Sequence, residues 1–418
     1  MAALVYALIS LGNTILTGVM SGWLIYFYIP PVGNPLVMPG LFGLAVLASR
    51  VGHIFTTILT ERMASRATWR PLLYMVGGAL AIPGLFVLLW VPPHSTTSMW
   101  NLLQLGLILI AFNAATGVHQ VAYESLLPRF ALGEKERNAV STWRMAFLLA
   151  GNVLAGLAGP FIEAVGYLSS MWIFASTSAL LLIPPGLFLS RYLRRDGPAM
   201  ERTPFLEHVK AALSNPNFRI FSLSWGLMWL ATTFTLETLP YIVTEICRLT
   251  KADTAWFYFS TLVTGVIAYP VVMKLAKRYG AKIVFRTSLL AGAFAMPGLM
   301  LIDEHIPVPL FAQGLVWIIL QTICLTGAQA LPGAITAEII AGDPQKQSSL
   351  YAFGNLIDQF SSGLALAIIP FFLLVGRSMS DAAGPLGVRW LALAGSLFLL
   401  ASFGVFGFYR PKKQHFSK

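Results

Sequence analysis

Residues 36–59, LVMPGLFGLAVLASRVGHIFTTIL, run directly into residues 60–70, TERMASRATWR, and this pair of segments decides how the chain folds. The first is long enough to cross roughly 30 Å of hydrocarbon as a helix, which takes about 20 apolar residues. The second is short, polar and basic. Lipid offers no hydrogen bonds to an open strand, so a lone apolar run of this length must be helical.

Eleven more runs of the same kind flank it. The twelve expected spans cover residues 4–29, 36–59, 72–91, 101–122, 141–165, 168–190, 219–244, 255–276, 284–302, 308–331, 350–374 and 387–408. The first begins at Met1 without a basic start and is too long for a signal peptide, so a retained helix is expected. Hydrophobic residues make up 56% of the 418 and charged residues only 11%, with a mean hydropathy of +0.72. That leaves too little polar surface for a water-soluble fold. The expected fold class is therefore all-α, a polytopic membrane protein.

The loops set the orientation. With the N-terminus inside, the inner loops collect most of the Lys and Arg, including Arg62, Arg66, Arg70, Arg137, Arg194, Lys277 and Arg278, while the outer loops hold only Arg248, Lys251, Arg377 and Arg389. Both termini are thus expected on the cytoplasmic side of a cell (inner or plasma) membrane. A net charge of +11 then reflects basic loops facing anionic lipid, and no nucleic-acid partner is expected.

The longest polar stretch, Arg191 to Phe218, divides the spans six and six. The expected organisation is an N-terminal six-helix bundle (1–190), a cytoplasmic linker with a short amphipathic helix (191–218), a C-terminal six-helix bundle (219–409) and a basic tail (410–418). The two halves echo each other. Thr60-Glu61-Arg62 after the second span has a counterpart in Ala276-Lys277-Arg278 after the eighth, and Gly133-Glu134 after the fourth in Gly342-Asp343 after the tenth. Parallel six-helix repeats with these basic loops resemble the major facilitator fold.

Several segments resemble the glycoside-pentoside-hexuronide cation symporters, the melibiose permease-like family. They are Ser125-Leu126-Leu127-Pro128 with Glu136-Arg137 and Trp143-Arg144, Arg50 with the spaced positions to Thr57, Ala337-Glu338, and Asn215-Pro216-x-Phe218. The resemblance implies membrane transport. Where the family carries its cation-site acids, this chain has His53, Thr57 and Gln120; the family's sugar-binding acid is replaced by Thr14, and its basic residue on the eleventh span falls at or beside Gln359. Proton-linked or uncoupled movement is expected over sodium symport.

Ionisable side chains inside the spans cost a few kcal/mol on insertion scales, so each is a candidate site with a partner to find. Arg50 lies about 15 Å from the inner boundary. It shares a helix face with His53 and Thr57. It is either held by helix carbonyls or faces a cavity and binds an anionic or hydroxyl-rich solute, with His53 as a titrating neighbour. Asn113, Gln120 and Glu124 form a polar stripe on the fourth span. Arg144 and Asn152 follow on the fifth, with Arg144 either snorkelling or clamping Glu124. In the second half Asn355, Asp358 and Gln359 are helically spaced, and Asp358 is the deepest acid. Gln313, Gln321 and Gln329 can line a cavity, and Trp143, Trp225, Trp229 and Trp317 either stack on a solute or pack.

The expected solute-binding residues are Arg50, Gln120, Arg144, Asn152, Gln329, Asn355 and Gln359. Coupling falls to His53, Asp358 and Glu124. Gates are expected at Glu61, Arg62, Lys277 and Arg278, with Glu237, near the outer end, either a gate or exposed. These groups are expected to meet near the bilayer centre at the seam of the two bundles.

No His-Glu-x-x-His or Cys-x-x-Cys element, no phosphate loop and no Gly-x-Ser-x-Gly is present, so neither a metal, a cofactor, ATP-driven transport nor an enzyme is expected. The expected function is a monomeric secondary transporter that moves a small polar or anionic solute, sugar-like ones included, by alternating access, with a co-transported proton as a possible partner. A lysolipid or amphiphile carrier of the same fold is the second reading. A non-transporting assembly factor or sensor is the third.

Overall fold

A computed structural model describes residues 2–64, 71–124, 126, 134–189, 213–340, 347–375 and 385–410, and among them every regular element is helical. The helices are α1 (Ala2–Tyr28), α2 (Pro39–Ala64), α3 (Pro71–Leu88), α4 (Met99–Glu124), α5 (Glu134–Gly156), α6 (Ala158–Val165), α7 (Tyr167–Leu189), α8 (Pro216–Tyr241), α9 (Thr254–Tyr279), α10 (Ala281–Ala295), α11 (Leu310–Ala330), α12 (Pro332–Ile340), α13 (Gln347–Leu373) and α14 (Pro385–Phe406). They reproduce the twelve expected spans, with α5 and α6 together forming the fifth and α11 and α12 the tenth.

Proline and glycine mark where the spans bend. The fifth breaks at Gly156-Leu157, where the Leu157 amide donates to the Leu154 carbonyl (3.1 Å) in a tightened turn. Pro240 precedes a π-helical turn, Ile242–Ile246, closed by the Cys247 amide on the Ile242 carbonyl (2.9 Å). The ninth span tightens into a 3₁₀ turn, Met296–Leu301. A missing proline N–H is tolerated inside a span because neighbouring groups take up the freed carbonyl.

Among the described residues, ten spans are long and apolar enough to cross a membrane on length and composition alone. The apolar part of α3, Leu73–Leu88, is shorter. α8 falls outside for another reason: Ser222, Ser224, Thr232, Thr233, Thr235 and Thr238 all turn inward and are buried. Its hydroxyls meet protein instead of lipid, which a hydropathy average does not see.

The chain divides into two compact units. The first comprises Met1–Arg202, Leu236–Leu262 and Leu366–Val388. Here α1 packs on α5 and α7, α2 on α4, and α3 on α4 and α7. Because lipid is as apolar as leucine, close packing rather than transfer from water holds such helices together. One core, around Tyr6, Met75, Tyr123 and Leu182, stacks Tyr6 on Tyr123 at 4.0 Å between ring centres.

The other end of this unit, where α1, α3 and α6 finish, is closed by aromatic rings and by backbone contact. Phe27 and Trp90 pack on Tyr167, and the Lys251 ammonium sits 5.2 Å above that ring. Tyr26 donates to Thr244 (3.2 Å), the Ala252 amide donates to Glu163 (2.7 Å), and Tyr241 donates to the Ile29 carbonyl (2.5 Å). Tyr258 fills the space over Gly22 and Gly156, and Gly159 faces the Lys251 carbonyl so closely that a Cβ would collide.

The second unit comprises Thr203–Thr235, Val263–Ala365 and Arg389–Lys418. Its core gathers Phe218, Phe221, Phe285, Leu289, Met296 and Phe406. Neutral hydrogen bonds tie its helices: Ser224 with Ser402 (2.8 Å), Ser396 to the Ala293 carbonyl (2.6 Å) and Gln321 to Thr235 (2.7 Å). The expected linker helix, the basic tail and the loop repeats at 133 and 342–343 lie outside the described residues.

Candidate functional site

Inside the first unit a small hollow, with room for about one water molecule, lies among α1, α2, α4, the end of α8 and α13. Met20, Leu24, Phe42, Val46 and Leu109 give it apolar walls, and Ser21, Ser49, Arg50, Asn113 and Glu237 supply its polar groups. Period 3.6 explains the placement. Val46 lies one turn before Ser49 and Arg50 on α2, and Ser21 one turn before Leu24 and Ile25 on α1, the i, i+3, i+4 spacing of one helix face.

The polar groups are fixed by short bonds. Ser49 donates to the Val46 carbonyl (2.7 Å) and accepts from the Asn113 amide (3.1 Å), which pins α2 to α4. His53 Nδ1 lies 2.7 Å from the Asn113 carbonyl; since a carbonyl only accepts, that nitrogen carries the proton. His53 and Thr57 both face Gly117 on α4, where a side chain would not fit.

Arg50 is half-buried and attracts Glu237 across the hollow. Glu237 is only 5% exposed, with the Ser21 hydroxyl and Tyr258 beside it. Its Oε2 has no hydrogen-bond partner. A guanidinium and a carboxylate in such surroundings offset each other's desolvation; either one alone would be a costly buried charge.

Arg50 thus lies on a small, mostly apolar hollow. Glu237 is buried against it instead of exposed. His119 turns out to be a packing residue, bonded to the Met75 carbonyl (2.9 Å) and covering Gly78. The stripe on α4 divides by depth: Asn113 is buried, while Gln120 and Glu124 are exposed and bonded to each other (3.2 Å). Arg144 sits 5.6 Å over the Tyr123 ring and makes no ion pair with Glu124, so the expected clamp is absent among the described residues. Asn152 is exposed on α5.

Asp358 belongs to the second unit, half-buried, with the Trp229 indole beside it and Oδ1 unpartnered. Gln359 is half-buried next to it, and Gln329 is exposed. Trp225 packs over Gly354. Gln313 leaves the cavity-lining set: its amide donates to the carbonyls of Asp303 (2.9 Å) and Val308 (2.7 Å), holding a loop. Trp317 likewise donates to the Ala295 carbonyl (3.2 Å). Lys277 and Arg278 are exposed, the latter over Tyr279. The side chains of Glu61, Arg62 and Asn355 lie outside the described residues.

Sequence reasoning missed Ser21, Ser49 and Tyr258. A signal for the first existed, since Asn13, Thr17 and Ser21 recur every four residues on α1.

In that same loop, outside the spans, the Asp303 carboxylate accepts from His305 (2.6 Å). The bond raises the His305 imidazole above its ordinary value, and hydrogen bonds from His305, its backbone amide first, lower Asp303.

A family model described as MFS/sugar transport protein matches residues 5–410. An uncharacterized symporter of Synechocystis sp. is 28% identical over 200 residues, which is 43% of this chain and 35% of that relative. Among solved structures, the nucleoside transporter NupG superposes with a TM-score of 0.71 at 12% identity, covering 97% of this chain and 98% of the other. A D-xylose-proton symporter does so at 0.71 and 14%, covering 98% of each. At such identities the likeness is one of fold.

Proposed function

The chain belongs to the MFS/sugar transport protein family, and on that premise we propose that it moves a small anionic or polar solute, sugar-like ones included, by alternating access. It is a multi-pass membrane transporter and not an enzyme. The observation that carries the finer reading is Arg50, a guanidinium on a small hollow whose walls are mostly apolar. A planar fork of donors suits a carboxylate or a set of sugar hydroxyls better than a cation.

Movement is proton-linked or uncoupled rather than sodium-coupled. The positions where related symporters place cation-site acids hold His53, Thr57 and Gln120, and the first two pack against Gly117. The sealed end of the first unit is the outer side in this reading, with both termini in the cytoplasm and Lys277 and Arg278 at the inner gate. The two sequence halves, 1–190 and 219–409, are the moving parts.

An apolar groove on the second unit favours the amphiphile reading as runner-up. It is lined by Ile267, Val271, Leu275, Ile283, Ile319 and Ile323 among others. Uptake into proteoliposomes separates the two. Gluconate, glucuronate, a neutral glycoside and a lysophospholipid are offered with a pH gradient, with and without sodium. Accumulation of a sugar acid driven by the pH gradient is expected. Sodium-dependent uptake that ignores the pH gradient overturns the coupling, and lysophospholipid-only uptake overturns the solute.

A further inference from the structure

We propose that Glu237 is a built-in counter-ion for Arg50, displaced when the solute's anionic group takes the guanidinium, and that the freed carboxylate then binds the proton that travels with the solute. The proposal rests on the anionic-solute reading above and adds the residue that couples the two cargoes.

Space comes first. The hollow that joins Arg50 to Glu237 holds about one water molecule, so a solute carboxylate and the Glu237 carboxylate cannot both lie against the guanidinium. Binding is therefore an exchange of one anion for another at a single cation.

Charge comes second. The groups facing Glu237 from the surrounding helices are Ser21 on α1, Arg50 on α2, Asn113 on α4 and Tyr258 on α9, with Leu366 on α13. Only Arg50 among them is a cation. His53, the other titratable neighbour of Arg50, has its Nδ1 proton committed to the Asn113 carbonyl. Once Arg50 turns to the solute, Glu237 keeps only the neutral Ser21 hydroxyl as a donor, at 5% exposure and with Oε2 already lacking a donor. A buried charge without a counter-ion is far costlier than the neutral acid. The balanced step is one proton from the water on the open side adding to a Glu237 oxygen as one solute monoanion adds to Arg50. On release both leave together and the internal pair re-forms.

Latitude comes third. Glu237 lies three residues before Pro240 and five before the π-helical turn Ile242–Ile246. Wide turns of this kind let a helix shift locally and recur at working sites. No comparable break lies beside Arg50, so the acid is the partner that withdraws.

The stoichiometry has a signature. One proton with one monoanion moves no net charge, so transport is electroneutral. In proteoliposomes holding the purified wild type, radiolabelled gluconate and glucuronate are driven by a pH gradient, or by a potassium diffusion potential at equal pH. The pH gradient is expected to drive accumulation and the potential to leave it unchanged. Glu237→Gln is expected to lose pH-driven accumulation by about tenfold or more, with any remaining solute exchange independent of pH, while Glu237→Asp retains coupling. If the wild type accumulates a sugar acid on a pH gradient and Glu237→Gln, shown folded by its melting temperature, does so equally, this proposal alone falls. Uptake driven by the potential overturns it without needing the variant. Failure of the wild type to move either sugar acid removes the solute reading and this proposal with it.

Discussion

The two units treat buried polarity differently. In the first, Arg50 and Glu237 place opposite charges on one hollow, and Ser49, Asn113 and His53 are locked around them by bonds of 2.7–3.1 Å. In the second, hydroxyl and amide ties such as Ser224 with Ser402 and Gln321 with Thr235 sit beside cations that cap carbonyls, Lys282 on Tyr409 and Arg389 on Met300 and Ile302, and the acid Asp358 stands beside an indole. A neutral tie holds helices whatever else is bound. A charge pair reports on anything that competes for either partner. Under the proposal above, solute is sensed where opposite charges share one hollow, in the first unit.

The sharpest way to break that contrast is Arg50→Gln. Leaving Glu237 buried without its cation is expected to cost about 3 kcal/mol of stability and to reduce uptake by about a hundredfold or more. The double variant Arg50→Gln/Glu237→Gln should recover most of the stability but not the uptake. Thermal melts and flux measurements read both. If the double variant melts no higher than the single, the two residues are not energetically paired.

Gly159→Leu tests the sealed end of the same unit. A side chain there meets the Lys251 carbonyl, and overpacking of this kind costs about 1–3 kcal/mol. The expected result is a lower melting temperature with faster labelling of a cysteine placed at Tyr26; unchanged labelling would show that the contact does not hold the end shut.

Asp358→Asn is the matching change in the second unit. Uptake is expected to stay within about threefold of wild type, because no charge partner is left stranded. Loss of proton-driven accumulation as deep as that of Glu237→Gln would put coupling in both units. Gln321→Leu then leaves the Thr235 hydroxyl without its donor, at a cost of about 1 kcal/mol or somewhat more, with solute affinity unmoved in a binding titration.

The smallest effect is expected at the Asp303–His305 pair. His305 is raised, so its contribution is present at low pH and fades as pH rises through its folded value; Asp303 is lowered, so its contribution fades as pH falls. The bond is intact only between those limits. His305→Ala should flatten a shallow pH dependence of loop exchange without altering transport.

The twelve spans were legible because a bilayer imposes one length on every crossing. Arg50 was legible because a charge in an apolar run has to be accommodated somewhere. What one dimension hid was depth and facing. Asn113 and Gln120 share a helix face by spacing, yet one is mid-span against Ser49 and the other exposed beside Glu124. Glu237 looked peripheral because it sits near the outer end of its span, and no pattern along a single helix says that the hydroxyls around it turn toward protein. Its pairing with Arg50 links positions far apart in the chain, which only the folded packing brings together.

Glycine at the sealed end has a kinetic consequence. Gly22 and Gly156 leave one slot for the Tyr258 ring and Gly159 meets bare backbone, so separating the surfaces draws out a single ring and not a row of interlocking side chains. What resists parting is a handful of discrete links, Tyr26 to Thr244, Tyr241 to Ile29 and Glu163 to Ala252, each replaceable by water as it breaks. Under the alternating-access proposal, such a joint holds the end at rest and lets go link by link during a turnover.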